Sequence, residues 1–186
     1  MASQKTQRGI SLHMAADAQS MADAGFYELS EEQLVPVMLE AEAFGLGNQT
    51  TMLVRDAGGF GLVHVWFKAN YPLPRHSHRH DCMYYVISGS AIMGSRTLRA
   101  GDSFFVPSGA PYQYVAGPEG IEVLEIRYGA TETTIDVYET PERIRERVTG
   151  ALEANRDTWQ AATTSPTFVA NASGAPAAPE PVDASS

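Results

Sequence analysis

The sequence predicts an all-β fold, a sandwich or barrel, with helical segments before and after it. Three observations predict it. From Thr50 to Tyr128 the chain is a series of short apolar runs separated by Gly and Pro, the pattern of many short antiparallel strands. Within it, Val63, Val65 and Phe67 alternate with His64, Trp66 and Lys68, the two-residue period of a strand. Helix-like spacing occurs only outside that window, around residues 30–44 and beyond Thr140.

Taken in order, residues 1–28 read as a flexible arm of Ala, Ser, Gln and Asp. Residues 29–48 read as a helix: Ser30 and Gln33 have capping-box spacing, and Leu34, Val37, Met38 and Ala41 make an apolar stripe. Gly45 and Gly47 are expected to end it. Residues 49–130 hold the strands. Thr50–Asp56 turns at Ala57-Gly58-Gly59 into residues 60–70, followed by strands at residues 75–78 and 82–88. Gly89-Ser90 is expected to turn the chain into residues 91–94. Residues 97–107 turn at Gly101-Asp102, and strands at 111–117 and 121–129 follow. Residues 131–161 form a C-terminal helical extension, capped by Thr140, started by Pro141 and Glu142, and striped by Ile144, Val148 and Leu152. Residues 162–186 are an Ala/Pro/Ser tail with too few large apolar groups to offset the entropy of ordering, and are expected to be disordered.

Among 186 residues the formal net charge is −9, which argues against nucleic acid and anionic membranes as partners, since both need a basic face. A lone cysteine, Cys82, excludes an internal disulfide and suits a reducing compartment. No uncharged apolar run approaches about 18 residues, and the N-terminus lacks a compact apolar segment before a cleavage site. A cytoplasmic protein is expected.

The stretch from Asn70 to Gly94 is the chemical centre. His76, His78 and His80 alternate, so the three imidazoles share one face if the strand runs unbroken through His80. Such a cluster points to a metal or to acid/base chemistry. Parity groups Cys82, Tyr84 and Val86 on one face, and Tyr112 and Tyr114 on another. With Trp66, Phe104 and Met93 they would line an aromatic pocket for a small aromatic or polyketide-like molecule. Inward basic residues look scarce, Lys68 excepted.

With the His run beside residues 101–114, the chain resembles a small single-domain cupin, a jelly-roll barrel. The family's first motif is Gly, five residues, His-x-His, three or four residues, Glu, six residues, Gly; His76, His78 and Gly89 match it. The second is Gly, five residues, Pro-x-Gly, two residues, His, three residues, Asn; Gly101, Pro107 and Gly109 match it. Cys82 stands where the family has its Glu ligand and Tyr112 where it has its last His. Asn70 replaces the first Gly and Ala116 the final Asn.

The resemblance implies a divalent metal (iron, zinc, manganese or nickel) held by His76 and His78, with a third ligand from His80, Asp81 or Cys82. It assigns Tyr112 as a phenolate ligand or the catalytic proton donor, with Trp66, Cys82, Tyr84, Phe104 and Tyr114 around the substrate. Simpler roles stand beside these: His80 as a solvated loop residue, Asp81 as a turn residue, Cys82 as a small buried hydrophobe, and His64 as a satisfied strand histidine. The activity expected is Lewis-acid lyase, isomerase or cyclase chemistry, or oxygen-dependent cleavage, with a metal-free binding protein as the alternative. Two chains are expected to pair as a homodimer through the strand near Thr50–Arg55 and the helix from Pro141.

Overall fold

The computed structural model describes residues 10–20, 45–128 and 135–167. Most of the helix expected at 29–48 lies outside these residues; residues 45–47 are helical and lead straight into a strand. Nine strands follow one another: β1 (Gln19–Ser20), β2 (Asn48–Ala57), β3 (Phe60–Phe67), β4 (His76–His78), β5 (Cys82–Met93), β6 (Arg96–Arg99), β7 (Ser103–Val106), β8 (Val115–Tyr128) and β9 (Ile135–Val137). Helix α1 (Pro141–Ala161) comes after them. One sheet has the order β1-β2-β3-β8-β5-β6, with β7 also on β5; β4 and β9 pair separately. All pairs are antiparallel, as expected of an all-β jelly roll.

Two strands are longer than the sequence suggests. Gly89 does not turn the chain. It sits inside β5 at a register shift against β8, with φ of 72°. A Cβ there would collide with the Gly120 carbonyl, so glycine is required for close approach as well as for φ. The turn instead falls at Gly94-Ser95. The two strands expected at 111–117 and 121–129 are largely one strand, β8, because Gly120 at φ 81° lets the pairing continue past a bend. Asn70, which replaces the family's glycine, keeps the left-handed backbone, with φ of 60°; Asn tolerates that region better than most residues.

The core follows from alternation. Val63, Val65 and Phe67 of β3, Ile121 and Val123 of β8, Cys82, Tyr84 and Val86 of β5, and Tyr71 and Tyr114 pack together. Helix α1 packs on this core. The Thr140 hydroxyl caps it by accepting from the Arg143 amide at 3.4 Å. Ile144, Val148, Leu152 and Trp159 are buried. The Trp159 indole N–H donates to the Ala69 carbonyl at 2.8 Å, so the helix rests on its own barrel. No helix among the described residues is long and apolar enough to cross a membrane.

The opposite faces of β3 and β8 carry a second, polar layer. His64, Trp66 and Glu122 are buried there. Ser88 Oγ donates to Glu122 Oε2 at 2.5 Å. The Ser165 hydroxyl donates to the same carboxylate, as do the Thr167 amide at 3.2 Å and hydroxyl at 2.9 Å. Residues 162–167, read from sequence as the start of a disordered tail, are therefore fastened to the sheet by polar bonds, which an apolar-content argument does not register.

Candidate metal centre

β4 stops at His78 and the chain bends at Arg79 and His80 before β5 begins at Cys82. The unbroken strand that would align three imidazoles is absent, yet the bend folds His80 back, buried, beside His78, with ring centroids 5.5 Å apart. A solvated loop position for His80 is thereby excluded. His78, His80, Cys82 and Glu125 form a buried group whose donor atoms all lie within 4.8 Å of one another. Four donors around a tetrahedral ion sit about 3.3–3.8 Å apart for bonds of 2.0–2.3 Å, so a contraction of about 1 Å suffices to close around one.

Glu125 was not anticipated from the sequence. It lies on β8 opposite Tyr84, and Arg127 lies opposite Cys82. The carboxylate missing from β5, where Cys82 stands in its place, is thus supplied from the adjacent strand. No local signal marks it: Glu125 and Arg127 share strand parity with Ile121 and Val123, but Leu124, Ile126 and Tyr128 make the other parity at least as apolar. Arg127 also corrects the expectation of few inward basic residues. Lys68, the exception named there, instead donates from Nζ to the Trp159 carbonyl at 2.5 Å.

Electrostatics follow from burial. Burial alone would raise the Glu125 pKa, but the Arg127 guanidinium, donating from Nε at 2.6 Å, outweighs it with help from His78, and holds the carboxyl down to about 2. His78 is desolvated and its pKa falls to about 3, despite Glu125 at 3.8 Å. Burial likewise lowers the pKa of His76 and His80, so all three imidazoles are neutral at neutral pH and offer lone pairs. The Cys82 thiol is pushed well up by burial and by Glu125; it donates to Glu125 Oε1 at 3.4 Å. His78 Nδ1 and His80 Nε2 are buried without hydrogen-bond partners. Orphaned nitrogens beside a thiol and a carboxylate are a donor set that fits a metal ion.

His76 stands outside this group of four. Its Nδ1 is hydrogen-bonded to the Pro74 carbonyl at 2.8 Å, and its ring lies edge-on to His78 at 5.0 Å. Nε2 is the only ring nitrogen it could offer. Asp81 is exposed and accepts from the Ser108 amide at 2.8 Å; it is a loop clasp. Tyr112 reaches the cluster: its hydroxyl is 3.3 Å from His78 Nε2 and 2.7 Å from the Tyr84 hydroxyl. Burial raises the pKa of both phenols, so both stay protonated. Phe104 stacks on Tyr84 at 4.5 Å, and Tyr114 lies 6.2 Å from Phe104 and 6.4 Å from Tyr112. Cys82, Tyr84, Phe104 and Tyr114 thus gather around the cluster. Trp66 does not; strand parity puts it on the Glu122 face, under Lys68 Nζ at 5.2 Å. His64 is on that face too, with Nε2 3.4 Å from Glu122.

No protein-family model and no curated protein sequence matches the chain. Solved structures do. An RmlC-like cupin from Shewanella frigidimarina is 30% identical, with 47% of this chain and 80% of that chain covered and a TM-score of 0.41. The polyketide cyclase RemF from Streptomyces resistomycificus is 16% identical, covering 74% of this chain and 92% of that one, at a TM-score of 0.50. The DMSP lyase DddQ from Ruegeria pomeroyi is 22% identical, with 50% of this chain covered and a TM-score of 0.46; the match spans about half of DddQ, 53% of its length. The likeness to RemF is one of fold. The antiparallel strand order, with the likeness to RemF, defines the class: the chain has a cupin-like fold.

Proposed function

We propose that the chain is a metal-dependent cupin enzyme acting by lyase, isomerase or cyclase chemistry on a small oxygenated molecule of aromatic or polyketide-like character. One observation carries the reading: four buried residues, His78, His80, Cys82 and Glu125, each offer a donor atom within 4.8 Å of the others, and each of the two imidazoles also has a buried nitrogen without a partner. These residues would hold the ion, and a sulfur donor beside two imidazoles favours zinc or iron over the oxygen-preferring manganese. Bound there, a divalent ion supplies Lewis-acid polarisation of a carbonyl or enolate oxygen. Tyr112, kept protonated by burial, holds the proton to be transferred at its hydroxyl, and Tyr84 orients that hydroxyl through the 2.7 Å bond. Phe104 and Tyr114 supply apolar walls that exclude water. Iron with open positions would also fit oxygen-dependent cleavage, and loss of activity under nitrogen would separate that chemistry from the Lewis-acid one.

A second reading, a metal-free binding protein, has one observation in its favour: Glu125 and Arg127 already balance each other's charge. Metal content by plasma mass spectrometry, on protein purified without a His-tag, separates the two. About one equivalent of transition metal is expected, lost in the His78→Ala/His80→Ala double variant. No metal even after reconstitution under reducing conditions would overturn the enzyme reading. We also propose that two chains pair as a homodimer; a light-scattering mass of one chain would refute it.

A further inference from the structure

We propose that Arg127 is a recognition residue for an anionic oxygen, so that the molecule taken up beside Glu125 carries a carboxylate. This rests on the reading of the cluster as a small-molecule site and names the class of ligand it takes. Arg127 is 5% exposed. Its Nε is spent on Glu125 at 2.6 Å, while its Nη1 is buried and has no hydrogen-bond partner. A guanidinium carries five N–H donors in a planar fork. Here one edge is committed to a carboxylate while a buried nitrogen beyond it is left unmatched. A purely structural ion pair would be expected to satisfy both.

Charge decides what fits there. Glu125 and Arg127 already pair with each other at 2.6 Å. An anion at Nη1 adds a buried negative charge that needs compensation nearby. The four-donor cluster, which includes the same Glu125, is the place for a cation. An anionic oxygen at Arg127 and a dication at the cluster therefore offset each other and bind cooperatively. A phosphate would ask for more donors than this: among the described residues, Arg127 Nη1 is the only buried Lys or Arg nitrogen without a partner. Lys68 Nζ is held by Trp159. The aromatic neighbours Tyr84 and Phe104 match an aryl or other unsaturated carboxylate.

The test is a fluorine NMR titration of full-length protein, metal-free and zinc-loaded, with 4-fluorobenzoate and its neutral isostere 4-fluorobenzamide. Saturable benzoate binding is expected, about tenfold or more tighter than the amide and tighter again with zinc. Arg127→Lys, which keeps a cation beside Glu125, should weaken benzoate more than the amide, lowering the benzoate-to-amide affinity ratio about tenfold. If that variant does not fold by circular dichroism, the benzoate-to-amide ratio in wild type decides alone. Equal affinities, no saturable benzoate binding, an unaffected Arg127→Lys variant, or displacement by inorganic phosphate at lower concentration than by acetate would each overturn the proposal. The readings fail separately. Arg127-dependent benzoate binding to a protein that takes up no zinc refutes the metal centre and keeps the carboxylate site. Zinc uptake with benzoate binding indifferent to Arg127 does the reverse.

Discussion

Single residues in the centre are set against water rather than with it. In metal-free protein, Glu125 has a folded pKa near 2, against an ordinary 4.5. A depressed carboxylate contributes stability above its ordinary range and loses it as pH falls toward the folded value. His78 has a folded pKa near 3, against 6.5. There the unfolded chain takes up a proton first, so stability again falls as pH drops below 6.5. Both signs agree, and the thermal midpoint of metal-free protein is expected to drop steadily from about pH 7 to about pH 4; a flat profile would show that these groups are not buried as described. Tyr112 acts at the level of chemistry. Tyr112→Phe removes the hydroxyl that faces His78 and Tyr84. It is expected to keep the metal content of wild type and to lower turnover of a substrate by about a hundredfold or more. Unchanged turnover would remove Tyr112 from the mechanism.

At the scale of elements, β5 and β8 carry most of the design. Their register sets Tyr84 opposite Glu125 and Cys82 opposite Arg127, and a shift between Val86 and Ser88 then sends Ser88 to the other face, where it meets Glu122. Without that shift Ser88 would share the inward parity of Cys82, Tyr84 and Val86; the irregularity moves it to the polar layer. Gly89 stands next in the same irregular stretch. Gly89→Ala must strain φ of 72° and push against the Gly120 carbonyl, so a loss of about 2 kcal/mol or more is expected by urea denaturation. A change within a few tenths of that method's error would mean that β5 and β8 can separate there without cost.

At the scale of the whole molecule, among the described residues, the sheet is covered by helix α1 and by the short segment after it. Helix α1 seats Trp159 against Tyr71, with ring centroids 5.7 Å apart, and residues past the helix cap Glu122. Ending the chain after Ala162 removes the Ser165 and Thr167 donors from a carboxylate that is 0% exposed. A loss of about 1–3 kcal/mol is expected, with the centre's metal uptake unchanged because Glu122 and Glu125 lie on opposite faces of β8. Equal stability of the shortened chain would show that water replaces the cap fully.

How much of this was legible in the sequence depends on the range of each interaction. Alternation, turns and caps act within a few residues, so β2, β3 and β7, the Gly58-Gly59 and Gly101 turns and the Thr140 cap are read directly. The His run and the two degenerate motifs located the centre, and Tyr112, Tyr84, Phe104 and Tyr114 fell beside it. Where the chain could tolerate a bulge was not local information, so Gly89 was read as a turn. Trp66 was put in the pocket because parity says which residues share a face, not which face is inside. Glu125 and Arg127 lie more than forty residues beyond the histidines, and only the pairing of β5 with β8 brings them there. The sequence by itself determined the all-β fold and the histidine run that meets the cluster. The tertiary structure decided the donor set, because cross-strand register chooses which distant side chains share the same few ångströms.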